Sequence, residues 1–176
     1  AELVLTASRA AAPFPRMASP HSPARPAAGA ARPVANVRLG TQGWNYDAWV
    51  GPFYPSGTRP ADYLRVYARA FDTVEVDSTF YAVPSAKTAR GWAERVPDGF
   101  TFALKLPQAV THEHRLRASG DETAARFFEV ARELGDRLGP ILVQCGPDFS
   151  PAELPALVRF LPTLPTDLAV CIEFRQ

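Results

Sequence analysis

Apolar and polar positions along this chain change period repeatedly, and each change separates a strand-like run from a helix-like one. Val37-Arg-Leu-Gly-Thr41 reads as a first strand, ending in Gln42-Gly-Trp-Asn45. From Pro60 to Phe71, Tyr63, Leu64, Tyr67, Ala70 and Phe71 recur at helical spacing, with Pro60 suited to the first turn. Thr73-Val-Glu-Val-Asp-Ser-Thr-Phe-Tyr81 predicts a short strand running into a loop, with Val74 and Val76 on one face and Glu75 and Asp77 on the other. A helix over Lys87–Val96 follows, capped by Ser85, and then a strand over Phe100–Leu106. Asp121 to Leu138 carries an inward stripe of Ala124, Phe127, Phe128, Ala131 and Leu134, and Gly139–Cys145 reads as the fourth strand. Ser150-Pro-Ala-Glu153 is a capping box opening a helix, and Leu168–Arg175 is the fifth strand.

Strand and helix alternating in this way describe repeated βαβ units, hence a parallel sheet covered by helices. Two architectures fit, an open doubly wound sheet and a (β/α)-barrel. No GxGxxG or phosphate-loop motif follows any strand, which disfavours the nucleotide-binding open sheets. Polar residues favour the barrel, because Glu75, Asp77, Lys105, Gln144, Glu173 and Arg175 all fall near the carboxyl ends of strands. In a barrel those ends converge on one mouth. The fold class expected is therefore α/β of the TIM (β/α)-barrel type. Such a barrel usually takes about 250 residues and eight strands. Residues 36–176 supply five predicted strands, so the expected domain is the N-terminal part of a barrel, truncated after about five strands unless another chain completes it.

Composition changes this picture at the amino end. Ala1 to Ala35 is rich in Ala, Pro, Arg and Ser without lasting periodicity, and predicts a disordered lead. The remainder fits a single globular domain, 47% of the whole chain being hydrophobic and 21% charged. A net charge of +1 provides no global field to gather polyanions, so recognition of an anion must be local. Of 19 basic residues only Lys87 and Lys105 are lysines. Cys145 and Cys171 lie in apolar runs without metal-ligand spacing, as expected of reduced core thiols in a cytoplasmic protein. No apolar run approaches the length of a membrane span.

Seven stretches resemble a known family, the domain of unknown function 72 (YecE-like) proteins. They are Arg38–Trp44, Trp49–Tyr54, Thr73–Tyr81, Phe102–Lys105, Thr111-His112, Leu138–Gln144 and Glu173–Arg175, recurring in order from about residue 37 onward. The resemblance implies a TIM barrel, and a likeness to metal-dependent endonucleases has been suggested for such proteins at the level of fold. Three positions depart from the family's habit. Asp77 stands where Asn is usual, Gln42 where Ser is common, and Cys145-Gly146 where Leu-Pro is usual.

The candidate chemistry follows from the strand ends. Glu75 and Glu173 are a general acid and base, and Lys105 binds an anionic group or stabilises developing negative charge. Asp77, Tyr81, His112, Gln144, Arg175 and Trp44 are candidate substrate-binding residues around them. His112 and His114 with a carboxylate would be a weaker case for a divalent metal, and no cofactor is identified by any motif. Two functions are expected from this set. One is a hydrolase, phosphodiesterase-like, acting on a small anionic substrate. The other is a non-catalytic protein that binds nucleic acid or an anionic ligand, with Arg115 and Arg117 on phosphates and Trp44, Trp49, Tyr54 and Tyr81 stacking on bases.

Overall fold

The computed structural model describes residues 37–175, together with the backbone of residues 3–7. Four parallel strands form its centre in the order β3-β4-β5-β6: β3 (Thr73–Val76), β4 (Thr101–Lys105), β5 (Leu138–Gln144) and β6 (Val170–Glu173). Each falls within or beside a run whose alternation or apolar character predicts it. Between them lie α1 (Tyr63–Tyr67), α2 (Ser78–Tyr81), α3 (Ala86–Ala93), α4 (Asp121–Arg132) and α5 (Leu154–Phe160). The architecture is mixed α/β with a parallel four-stranded sheet.

One face of the sheet meets the helices. Val74, Val76, Phe102, Leu104, Ile141 and Val143 are buried there with Tyr67, Phe100, Phe127 and Phe160. The other face carries Thr73, Glu75, Thr101, Ala103, Lys105, Leu142 and Gln144, since side chains alternate along each strand. Register Glu75↔Ala103, Lys105↔Leu142 and Gln144↔Glu173 keeps the polar members of this face at the carboxyl ends of the strands.

The strand β2 (Val37–Thr41) lies beside β3 without a full ladder. A parallel bridge joins Gln42 to Glu75, and the Gly43 N–H donates to the Glu75 carbonyl at 2.8 Å. The approach is close at Gly40, where a Cβ would fall 2.2 Å from the Thr73 carbonyl oxygen. Tyr67 locks the junction. Its hydroxyl accepts from the Thr41 N–H at 2.8 Å and lies 3.0 Å from both Thr41 Oγ1 and the Thr73 carbonyl. The aromatic loop before α1 is a packed plug. Tyr54 is fully buried, stacks on Tyr63 at 4.4 Å, and donates its hydroxyl to the Trp44 carbonyl.

The structure departs from the sequence reading in several elements, among them the stretch after β3, where Ser78–Tyr81 is the helix α2 and not a loop. Leu3–Ala7 forms β1, antiparallel to β2 with Leu3 opposite Thr41 and Ala7 opposite Val37, although it falls in the segment expected to be disordered. Averaging composition over 35 residues conceals five strand-forming ones, and an open strand edge offers them backbone partners. The rest of the predicted lead lies outside the described residues. The helix expected over Pro60–Phe71 is a 3-10 turn at Pro60–Asp62 followed by the five residues of α1. The one expected over Asp121–Leu138 stops at Arg132, and a 3-10 turn whose Gly135 takes a φ of +55° leads into β5. The capping expectations match the geometry. The Thr88 N–H donates to Ser85 Oγ at 3.0 Å, and the Ser150 N–H donates to Glu153 Oε2 at 3.0 Å. Among the described residues no helix is long and apolar enough to cross a membrane.

Candidate functional site

The site begins with an ion pair. Lys105, last residue of β4, places Nζ 3.4 Å from Oε1 of Glu75 on β3, both side chains about 15% exposed. Phe80, on the α2 turn, lies under the ammonium at 5.8 Å, and its ring meets His112 edge-on at 5.1 Å. Thr79 fastens α2 to β4 by accepting from the Lys105 N–H at 3.1 Å and donating to the Lys105 carbonyl at 2.9 Å. On the far side of the sheet Gln144 Nε2 donates to Glu173 Oε1 at 2.9 Å, and Arg175 Nε approaches the same oxygen at 3.9 Å.

His112 lies in the turn Ala109–Glu113 that follows β4. Its Nδ1 is 2.8 Å from Thr111 Oγ1. Burial holds its pKa below the usual imidazole value. Asp148 opposes that shift, while Arg175, Arg115 and Lys105 add to it. Three cations thus converge on one imidazole. Gly146 makes room for the ring, because a Cβ at that position would lie 3.3 Å from His112 Cδ2. The chain's departure from the Leu-Pro pair therefore touches the site directly.

Arg115 is placed by a strained turn. It and Leu116 take φ values of +50° and +59°, unusual for residues other than glycine. Leu116 is fully buried, and the Arg115 guanidinium pairs with Glu153 and, at 2.8 Å, with Asp148. These bonds raise the Arg115 pKa, and the same contact holds the Glu153 carboxyl below the usual carboxylate range.

The sequence reading gathers its residues into one mouth, whereas the structure divides them. Glu75 and Lys105 touch, Gln144 and Glu173 touch, and His112 and Arg175 lie within electrostatic reach of each other. Glu75 and Glu173 are three strand spacings apart across the sheet, about 14 Å, and the register sets Glu173 four residues, about 13 Å, further along the strand direction.

Trp44 and Asp77 belong elsewhere. The strand ends at Val76, and Asp77 turns into helical backbone (φ −67°, ψ −27°), so it does not share the face of Glu75. It lines a cleft of about 500 Å³ together with Trp44, Tyr46, Trp92 and Arg95, and neither Glu75 nor Lys105 is part of that lining. Tyr81 is 70% exposed and packs only its edge on Phe80. The base-stacking set is likewise occupied: Tyr54 is core, Trp49 packs among Tyr46, Phe53 and Tyr67, and Arg115 is ion-paired. His114 bonds Ser119 Oγ at 3.0 Å through Nδ1. Among the described residues no group of three or more His, Cys, Asp or Glu side chains is arranged to hold a metal. Phe80, Arg95 and the Asp148–Glu153 anchor escape sequence reasoning. The only signal for the last is the capping box itself.

With this geometry in view, the chain can be set beside known proteins. The family model described as "Protein of unknown function DUF72" matches residues 38–176, and the chain belongs to that family. It is 32% identical over 140 residues to the UPF0759 protein YecE of Escherichia coli K12, covering 80% of this chain and 48% of that protein. It is 28% identical over 147 residues to the UPF0759 protein YunF of Bacillus subtilis 168, covering 80% and 51%. The chain thus spans about half the length of the curated relatives it matches. Crystal structures of DUF72 family proteins share the fold. One from Thermotoga maritima superposes with a TM-score of 0.59 at 28% identity, over 75% of this chain and 54% of the other. One from Enterococcus faecalis does so with a TM-score of 0.60 at 23% identity, over 79% and 51%.

Proposed function

We propose that this chain contributes the first part of a TIM-type barrel and that the carboxyl ends of β3 to β6 form its working mouth. The mouth takes a small anionic substrate and hydrolyses it, in the manner of a phosphodiesterase. The observation that carries this reading is the Glu75–Lys105 pair, drawn together at 3.4 Å, with Phe80 bridging the ammonium to the His112 ring. An anion entering there would compete with Glu75 for the Lys105 ammonium.

His112 then serves as base. In the tautomer in which Nδ1 donates to Thr111 Oγ1 at 2.8 Å, Nε2 keeps the lone pair that the base requires. A neutral imidazole at neutral pH is in the protonation state needed to take a proton from an attacking water. Glu75, held by Lys105, supplies the carboxylate beside the bound group, while Glu173, held by Gln144, lies further along the mouth. The nucleic-acid reading finds less support, because Tyr54, Trp49 and Arg115 are already engaged within the fold.

The test is hydrolysis of bis(p-nitrophenyl) phosphate together with calorimetric binding of inorganic phosphate. Glu75→Gln and His112→Gln are expected to lower turnover by about 10²-fold while phosphate still binds, and Lys105→Gln is expected to weaken phosphate binding. Phosphate binding without turnover in the unaltered protein would make this an anion-binding protein instead. Indifference of both readouts to all three variants would overturn the site.

A further inference from the structure

The cleft beside the Glu75–Lys105 pair contains opposite charges that leave each other alone. Asp77 and Arg95 line the same space, yet among the described residues neither side chain makes a hydrogen bond or ion pair within the protein. A carboxylate and a guanidinium that share a cleft without pairing leave that space to a molecule carrying the complementary charges. Part of the same lining is aromatic. Trp44 meets Trp92 edge to face at 5.6 Å, and Trp44 also rests on Phe102 at 6.1 Å, so both indoles are held by the core. The floor is backbone at Gly43, whose φ of +71° and a 2.9 Å approach of a built Cβ to the Tyr46 hydroxyl exclude any side chain there. Tyr46 in turn donates its hydroxyl to the Gln42 carbonyl at 2.7 Å, which fixes its ring at the cleft edge. Asp77 is close enough to Tyr46 for its charge to raise the phenol's pKa, after the larger effect of burial.

We infer that this cleft binds a small zwitterion, an α-amino acid with an apolar side chain, its ammonium on Asp77, its carboxylate on Arg95 and its side chain on the Trp44–Trp92 wall. Each part of the lining has a part of the ligand to meet. Ammonium groups are favoured by a carboxylate flanked by aromatic faces, and a carboxylate is the natural partner of a guanidinium. Asp77 supplies the negative charge that the ammonium requires. The site is distinct from the anion site proposed above, because Glu75 touches it only through its backbone carbonyl, which accepts from the Gly43 N–H.

Titration calorimetry with L-leucine tests the inference, with isopentylamine and 4-methylpentanoate as the single-charge probes. Saturable binding of L-leucine is expected, tighter than that of either probe. Asp77→Asn, which keeps the side chain's shape, and Arg95→Gln, at an exposed position, should each weaken it by about tenfold. Circular dichroism melts verify that both variants fold, and if one fails the other still decides. Absence of saturable heat up to about 10 mM L-leucine, equal binding in both variants, or isopentylamine binding as tightly as L-leucine would overturn the proposal. Glu75→Gln should leave the L-leucine isotherm unchanged while lowering turnover at the other site by about 10²-fold, and loss of both together would refute the separation of the two.

Discussion

Lys105 reaches Glu75 diagonally. The residue directly opposite Glu75 is Ala103, and Lys105 lies two positions further along β4, yet its Nζ is 3.4 Å from Glu75 Oε1. Diagonal neighbours on adjacent strands are within reach of long side chains, and a small residue in the direct position clears the path. A bulkier residue at 103 would displace the ammonium toward Phe80.

The pair should therefore behave as a coupled unit. Lys105→Met leaves a largely buried carboxylate without its cation and is expected to destabilise the fold by about 1–3 kcal/mol. Glu75→Gln with Lys105→Met should cost less than the sum of the two single changes, by about 1 kcal/mol. Urea denaturation of the four proteins measures this. Strict additivity would mean the two side chains do not interact in solution.

His112 makes the positive field at the site measurable. Its folded pKa lies below the ordinary value near 6.5, so the stability it contributes is fully present above that value and is lost as pH falls through the lower, folded one. The imidazole resonance, assigned by its absence in His112→Gln, should titrate below the ordinary imidazole value. Arg175→Gln and Lys105→Gln should each move it upward, and Asp148→Asn should move it further down. An upward shift in Asp148→Asn would refute the arrangement.

The junction of β2 with β3 depends on one hydroxyl. Tyr67→Phe removes the acceptor for the Thr41 N–H and the donor to the Thr73 carbonyl, and is expected to cost about 1–3 kcal/mol. Gly40→Ala would drive a methyl to 2.2 Å from the Thr73 carbonyl oxygen and is expected to cost about as much, through backbone displacement. Thermal melts of both variants, with amide exchange at residues 40–43, separate local release of β2 from loss of the whole fold.

Much of this was legible because period and pairing are local. Val74 and Val76 alternate with Glu75, and the structure puts the two valines in the core and the carboxylate on the opposite face. The alternation misleads one step later. At Asp77 the backbone turns helical, and a rule that holds only along a strand assigns that carboxylate to the wrong face. Trp44 follows it into the same cleft, since nothing in its neighbours announces Trp92, 48 positions away, as its packing partner. Arg115 looks like a free cation in a charged loop. Its partners Asp148 and Glu153 lie more than thirty residues on and meet it only because β5 returns the chain beside the loop. Side-chain pairing across units is a property of the folded sheet, and periodicity carries no record of it.

That Arg115 anchor yields the last prediction. Its contact holds the Glu153 carboxyl below the usual carboxylate range, so the associated stability is fully present above the unfolded value near 4.5 and is lost as pH falls through the lower, folded one. Arg115→Met removes the cause, and the acid limb of the stability curve should flatten in that window. The same substitution releases a turn whose Arg115 and Leu116 hold positive φ values, since the ion pairs oppose the cost of that conformation. His112 lies three residues upstream, so its field changes too: one of the three cations that lower its pKa is gone, and the imidazole should titrate higher. Both shifts together are expected from a single change. A flattened acid limb with an unmoved His112 would show that the Arg115 charge does not act on the imidazole, and that the anchor serves stability alone.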